Sequence, residues 1–180
     1  MTKTSDILFC HLHVHSEYSL VDGCISIKQL VSETKLRNHT HVAITDHANM
    51  HGAIDFYLSA KKNGLTPIIG CEIYHYGASA KYDIKNNLPF NLVLLAKNLA
   101  GYKNLIKIVS SAYIDKCLQE VPIVSEKVID RYSKDLVCLS AGSRGELGFL
   151  VDAYCDSKKN NKNSQNILNA LEHHIEVMKK

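Results

Sequence analysis

Six consecutive residues, His11-Leu12-His13-Val14-His15-Ser16, constrain this chain more than any other stretch. Side chains alternate between the two faces of a β-strand. An extended backbone here therefore places His11, His13 and His15 on one face and Leu12 and Val14 on the other. The preceding Ile7-Leu8-Phe9-Cys10 is apolar enough to form a buried strand. Alternating histidines can simply fill a polar strand face, and for a single histidine that reading usually wins. Three at strand spacing, with the carboxylate of Asp22 a few residues on, favour a metal site. Neutral imidazole nitrogen is a good ligand for zinc, manganese or iron.

Later apolar runs carry the same kinds of residue. Val42-Ala43-Ile44-Thr45 leads directly into Asp46-His47, and the C-terminal ends of strands are where barrel active sites gather. The strand expected over 67–74 contains Glu72, an acid in an otherwise apolar run. A lone buried carboxylate is costly, so either a cation holds it or that strand end is exposed. Further strands are expected over 90–96 and 136–140. Helices are expected from a Ser26 cap to about residue 37, over 52–63 with Ile54, Tyr57 and Leu58 on its apolar side, and through 101–112 with Leu105, Ile106, Ile108, Val109 and Ala112 inward. A short helix follows Ser125, and a last one spans 165–178. Residues 76–89 and 156–163 read as polar loops, and His173 and His174 as surface residues.

Counting the histidine strand, about five strand–helix units alternate. That pattern predicts a largely parallel sheet with helices outside, as in an α/β barrel. A closed eight-fold barrel needs ~250 residues. With 180 residues, the sheet stays open or the chain is a portion of a longer one. An apolar content of 46% supplies the core of one domain, and a net charge of +3 is too small to demonstrate a nucleic-acid partner. The six cysteines form no CxxC pair and mostly sit in apolar surroundings, which predicts reduced thiols. Residues 1–6 lack a signal-peptide core, and no apolar run reaches membrane-spanning length. A soluble cytoplasmic protein is expected.

At His13-Val14-His15-Ser16, Asp22-Gly23, Thr45-Asp46-His47 and Gly70-Cys71-Glu72 the sequence resembles the polymerase and histidinol phosphatase (PHP) family, and the spacing between the blocks fits as well. More narrowly, His11 through Leu20, Ala43-Ile44-Thr45-Asp46-His47, Pro67-Ile68-Ile69-Gly70, and Gly101-Tyr102-Lys103-Asn104-Leu105 running on to Ala112-Tyr113 resemble one branch of that family. It is the branch found at the N-terminus of bacterial DNA polymerase III alpha subunits. The resemblance implies an α/β fold, a distorted (β/α)7-type PHP barrel, incomplete here with about five βα units. Residues 1–180 would form its N-terminal portion, with later strands and polymerase domains absent. It implies divalent metal ions (zinc, manganese or magnesium), up to three in the complete family site. The matching metal ligands are His13, His15, Asp22, His47 and Glu72, with catalytic roles for Asp22, Asp46 and His47.

The activity implied is metal-dependent phosphoester hydrolysis, in some polymerase members a 3′–5′ exonuclease. The partners implied, through the complete subunit, are DNA and other polymerase III holoenzyme subunits, including a proofreading exonuclease, with no membrane. Three departures accompany the resemblance. Asn91 stands where the family often has a ligand histidine, and Ala141-Gly142 where it often has a ligand-type residue. The family's last aspartate–histidine pair lies on a strand later than residue 180. Two alternatives follow: a stand-alone PHP phosphatase acting on a metabolite such as histidinol phosphate, or a degenerate, non-catalytic PHP scaffold.

Overall fold

Four strands form one open sheet in the order β1-β2-β3-β4: β1 His41–Ile44, β2 Thr66–His75, β3 Phe90–Ala96 and β4 Leu136–Leu139. The computed structural model describes residues 9–20, 22–77, 89–114, 121–160 and 164–178. Around the sheet run α1 Ile27–Leu36, α2 Ala53–Lys62, α3 Leu99–Ile114, α4 Glu126–Tyr132, α5 Glu146–Lys159 and α6 Gln165–Met178, with a 3-10 turn at Gly142–Arg144. This mixed α/β sheet is the fold class expected, an incomplete barrel. The expected direction of its strands needs correction. β1 and β2 are parallel, but β3 is antiparallel to both β2 and β4. A parallel neighbour needs a crossover element, usually a helix. The polar sequence of residues 76–89 offers no helical apolar repeat to supply one.

Strand register decides which face each residue takes. Val42 and Ile44 pair with Pro67 and Ile69, while Cys71 and Ile73 pair with Leu94 and Leu92. Most of these residues pack under helices. Val42 and Ile44 join Ile27, Leu30, Val31, Phe56 and Ala60 from α1 and α2. Cys71, Ile73, Leu92 and Leu94 join Leu105, Ile108, Val109 and Ala112 from α3. The opposite face carries Thr45, just beyond β1, with Glu72 of β2 and Asn91 of β3. One side of the sheet is therefore a helix-covered core, and the other carries these polar groups beside the buried apolar Ala43, Val93 and Leu95.

Several local expectations hold. Ser26 caps α1 in a reciprocal capping box with Gln29, and α6 spans the expected Gln165–Met178. Others need correction. Among the described residues, 9–16 form no regular strand. Val14 is tied to the edge of β1 by Thr45 N donating to its carbonyl (2.8 Å), and its own N–H goes to Thr45 Oγ1 (2.8 Å). A hydroxyl thus replaces a rung of the ladder. Ile7 and Leu8 lie outside the described residues, as does most of 76–89.

In α2 the buried stripe is Ala53, Phe56 and Ala60, and Ile54, Tyr57 and Leu58 are exposed. Both stripes have helical spacing, and only the position of β1 chooses between them. Ile106 of α3 is likewise partly exposed. The polar stretch from residue 156 continues α5 to Lys159, with Asp156, Lys158 and Lys159 exposed and Ser157 buried, and 161–163 lie outside the described residues. Cys10, Cys24, Cys71, Cys138 and Cys155 are free thiols, while Cys117 lies outside the described residues. No helix among the described residues is long and apolar enough to cross a membrane.

His174 is not a surface residue. It is buried, and its Nδ1 lies 2.9 Å from Oε2 of buried Glu146, which fastens α6 to α5. His75 at the end of β2 is buried in the same region, and Phe90 lies against its ring. The Nε2 atoms of His75 and His174 have no hydrogen-bond partner among the described residues. Burial pulls the pKa of His75 below its ordinary 6.5. The charges of Glu146 and Glu126 oppose that pull, and His174 reinforces it. An imidazole with a depressed folded pKa contributes stability that is complete above its unfolded value and lost as pH falls below it. Acidification from about pH 7.5 to about pH 5.5 is therefore expected to lower the melting temperature. In His75→Phe the drop should be smaller. Equal acid sensitivity of the two proteins by calorimetry would refute this origin.

Candidate metal centre

The polar end of the sheet is set by topology. His47 follows β1, Glu72 lies late in β2, Asn91 early in the reversed β3, and the 3-10 turn follows β4. Pairing between β1 and β2 resumes three residues past β1, with His47 bridging Glu72. Glu72 N donates to the Asp46 carbonyl (3.1 Å) and Ala48 N to the Glu72 carbonyl (2.7 Å). Glu72 opposes Val93 and Tyr74 opposes Asn91, so Asn91 is the diagonal neighbour of Glu72 on the same face.

Glu72 is the centre of the group. It is 1% exposed, and His13 Nε2 and His15 Nε2 both meet its Oε2, the second at 2.7 Å. The two Nε2 atoms lie 3.2 Å apart. The Asn91 amide donates to Oε1 of the same carboxylate. Burial opposes ionisation of Glu72. The hydrogen bonds from His13, His15 and Asn91, with the charge of His47, outweigh it and hold the carboxyl well below the usual range. The bond to Glu72 raises the pKa of His15. Burial opposes that, and the charges of Glu72, Asp22 and Asp46 reinforce it.

A second group adjoins the first. His47 Nε2 donates to Asp22 Oδ2 (3.0 Å), and His15 Nδ1 lies 3.5 Å from Asp22 Oδ1. The slight burial of Asp22 raises its pKa, but His47, His15 and Arg144 together lower it. Tyr74 lies parallel to the His47 ring, centroids 6.0 Å apart, with its hydroxyl 3.5 Å from Nδ1. Two triads of ligand atoms, His13–His15–Glu72 and His15–Asp22–His47, each lie within 4.8 Å of one another and could hold a metal ion. All five residues with ligand chemistry thus lie together.

Two histidine-motif neighbours do not join them. His11 turns away and packs against Phe9 and His39. Asp46 points into the loop instead. Its Oδ1 accepts from Ser16 N (2.6 Å) and Ser19 Oγ (2.7 Å), and its Oδ2 from Ser16 Oγ (2.8 Å). This knot brings Ser16, Ser19 and Gly23 together, with Gly23 N donating to the Ser19 carbonyl (2.7 Å). A Cβ on Gly23 would stand 1.7 Å from the Ser16 carbonyl oxygen, so only glycine fits. The turn delivers Asp22 to the histidines. Tyr74 and Arg144 were not singled out from the sequence. The available signal was position: Arg144 lies in the turn after the last strand, two residues beyond Gly142.

The chain matches the family profile described as PHP domain over residues 11–180. It belongs to the PHP family. It is 45% identical over 146 residues to DNA polymerase III subunit alpha of Borreliella burgdorferi, a match covering 79% of this chain and 13% of that protein. The same subunit of Campylobacter jejuni is 43% identical over 148 residues, covering 82% of this chain and 12% of that one. This PHP chain therefore corresponds to about one eighth of the length of those relatives. In shape it has a loose likeness (TM-score 0.44, 16% identity) to a Bifidobacterium adolescentis protein provisionally assigned as a metal-dependent phosphoesterase. That likeness covers 90% of this chain and 55% of the other.

Proposed function

We propose that this PHP chain is the N-terminal portion of a replicative DNA polymerase alpha subunit and that it holds a divalent metal ion in a phosphoesterase-type site. The observation that carries the metal is the aim of His13 and His15 at one oxygen of buried Glu72. Two imidazole nitrogens and a carboxylate oxygen facing one point suit zinc or manganese. His13, His15 and Glu72 would hold the ion, and Asp22 and His47 would flank it. Both triads draw on His15, whose nitrogen lone pair serves one ion at a time, so one tightly held ion is expected. Divalent ions in such a site neutralise phosphoryl charge and activate water. His47, fixed by Asp22 on one nitrogen and close to Tyr74 on the other, is placed to carry a proton at the rim. Asp46 acts as a positioning residue through Ser16 and Ser19. DNA, and sibling subunits including a proofreading exonuclease, would be met by the complete subunit.

Asn91 favours a second reading, a PHP scaffold with little activity. Its amide occupies Glu72 Oε1 where a further ligand would be useful. Phosphoester chemistry with two ions uses a second one ~4 Å away, and each 1.4 kcal/mol of lost transition-state stabilisation is about tenfold in rate. The chain alone is therefore expected to bind manganese or zinc yet to cleave a 3′-labelled single strand barely above background. His13→Ala should abolish metal binding. Robust cleavage that disappears in His13→Ala would overturn the low-activity expectation. Absence of metal binding by the parent chain would leave the scaffold reading alone standing.

A further inference from the structure

We infer that Arg144 is the residue of this chain that receives the phosphate oxyanion of a ligand at the metal centre. The inference rests on the metal-site reading above and adds the group that would meet the substrate. The centre is rich in carboxylates: Asp22 and Glu72 face it, and Asp46 lies just behind. An anionic phosphoester approaching such a surface needs fixed positive charge besides a bound ion. Among the described residues, Arg144 is the one guanidinium or ammonium group that reaches these carboxylates, with Nη1 3.6 Å from Asp22 Oδ2. At that distance the contact is loose, and with Arg144 two-thirds exposed it is a weak ion pair. The remaining donors of its planar fork are open to solvent at the mouth of the site. A fork of this shape matches phosphate geometry, which a lysine reproduces only as a point charge.

The backbone that presents Arg144 is built with unusual constraint. Ala141 sits at a φ of 56° and Gly142 at 60°, left-handed conformations that cost free energy in a non-glycine residue. The turn is then pinned from below. A Cβ on Gly145 would stand 1.7 Å from the Ser140 carbonyl oxygen, and one on Gly148 would stand 2.5 Å from that of Gly142. Gly145 N closes the turn on the Gly142 carbonyl (3.2 Å). A strained, tightly packed turn directly after β4 thus holds a single cationic side chain over the Asp22 edge. Free phosphate and a nucleic-acid phosphodiester share the oxyanion chemistry that Arg144 would recognise.

The test uses the whole chain, loaded with manganese, as the parent protein, Arg144→Gln and Arg144→Lys. Three titrations are read for each: manganese alone, inorganic phosphate, and a fluorescein-labelled oligothymidylate single strand. Arg144→Gln is expected to keep manganese affinity within about twofold and its melting temperature, because the side chain is exposed and its ion pair weak. Its affinity for the phosphate-bearing probes should fall at least ~10-fold, with partial recovery in Arg144→Lys. Loss confined to the single strand assigns Arg144 to a phosphodiester, and loss with both probes assigns it to the phosphate group itself. Unchanged affinity for both probes in a manganese-loaded Arg144→Gln overturns the inference and leaves the metal-site reading intact. Loss of manganese binding in Arg144→Gln also overturns it, since Arg144 would then be acting through Asp22. Failure of the parent chain to bind manganese overturns the metal-site reading, and this inference with it.

Discussion

Glu72→Gln is expected to lower divalent-metal affinity by at least ~100-fold, because losing even an outer-shell partner of a metal ligand costs 10–100-fold and Glu72 is the common focus of the group. Both His13 and His15 meet its Oε2, and Asn91 holds its Oε1. An uncharged amide has one accepting oxygen, so it cannot accept from the imidazoles and from Asn91 at once, and it provides no anionic ligand. Isothermal titration with manganese reads the effect directly. Binding within tenfold of the parent would show that the ion sits in the Asp22 triad. The same titration has a defined pH dependence. A histidine must be neutral to ligate, and the pKa of His15 is raised above 6.5, first by its bond to Glu72. Protons therefore compete with the metal from above pH 6.5 downward, and apparent affinity should weaken steadily as the solution is acidified through that range.

Asp46→Ala is expected to destabilise the fold by about 3–9 kcal/mol. Asp46 is buried, and the substitution strands three donors, Ser16 N, Ser16 Oγ and Ser19 Oγ. Each buried unsatisfied group costs ~1–3 kcal/mol. Against a total stability of ~5–15 kcal/mol for a domain, much of the population would unfold near the temperature of growth. Asp46→Asn keeps an accepting oxygen and should recover roughly half of the loss. Denaturant melts of the three proteins decide it. A loss under ~1 kcal/mol in Asp46→Ala, with metal binding intact, would refute the positioning role. Asp46 would then be free for the chemistry that its place beside His47 suggests.

Much of the candidate centre was legible in the chain because each residue sits in a short local context that marks it as a possible ligand. His13 and His15 stand two apart. His47 directly follows an apolar run, and Glu72 is the acid inside another. Local spacing also marked α1, with its Ser26 cap, and the limits of α6, since capping and helical periodicity depend on neighbours within a few residues. What these signals cannot contain is which partner each side chain meets. Asp46 and His47 are adjacent in sequence, yet Asp46 turns back to Ser16 and Ser19 while His47 goes to Asp22. The buried stripe of α2, the Glu146 partner that takes His174 out of solvent, and the reversal of β3 are likewise settled by where distant elements pack. Sequence by itself determined which residues could ligate a metal and the mixed α/β class, because residue type and local period encode them. Only the tertiary structure decided that His11 leaves the cluster, that Asn91 closes one side of Glu72 and that Arg144 reaches Asp22. Contacts between residues tens of positions apart depend on strand register and helix packing, which no local pattern records.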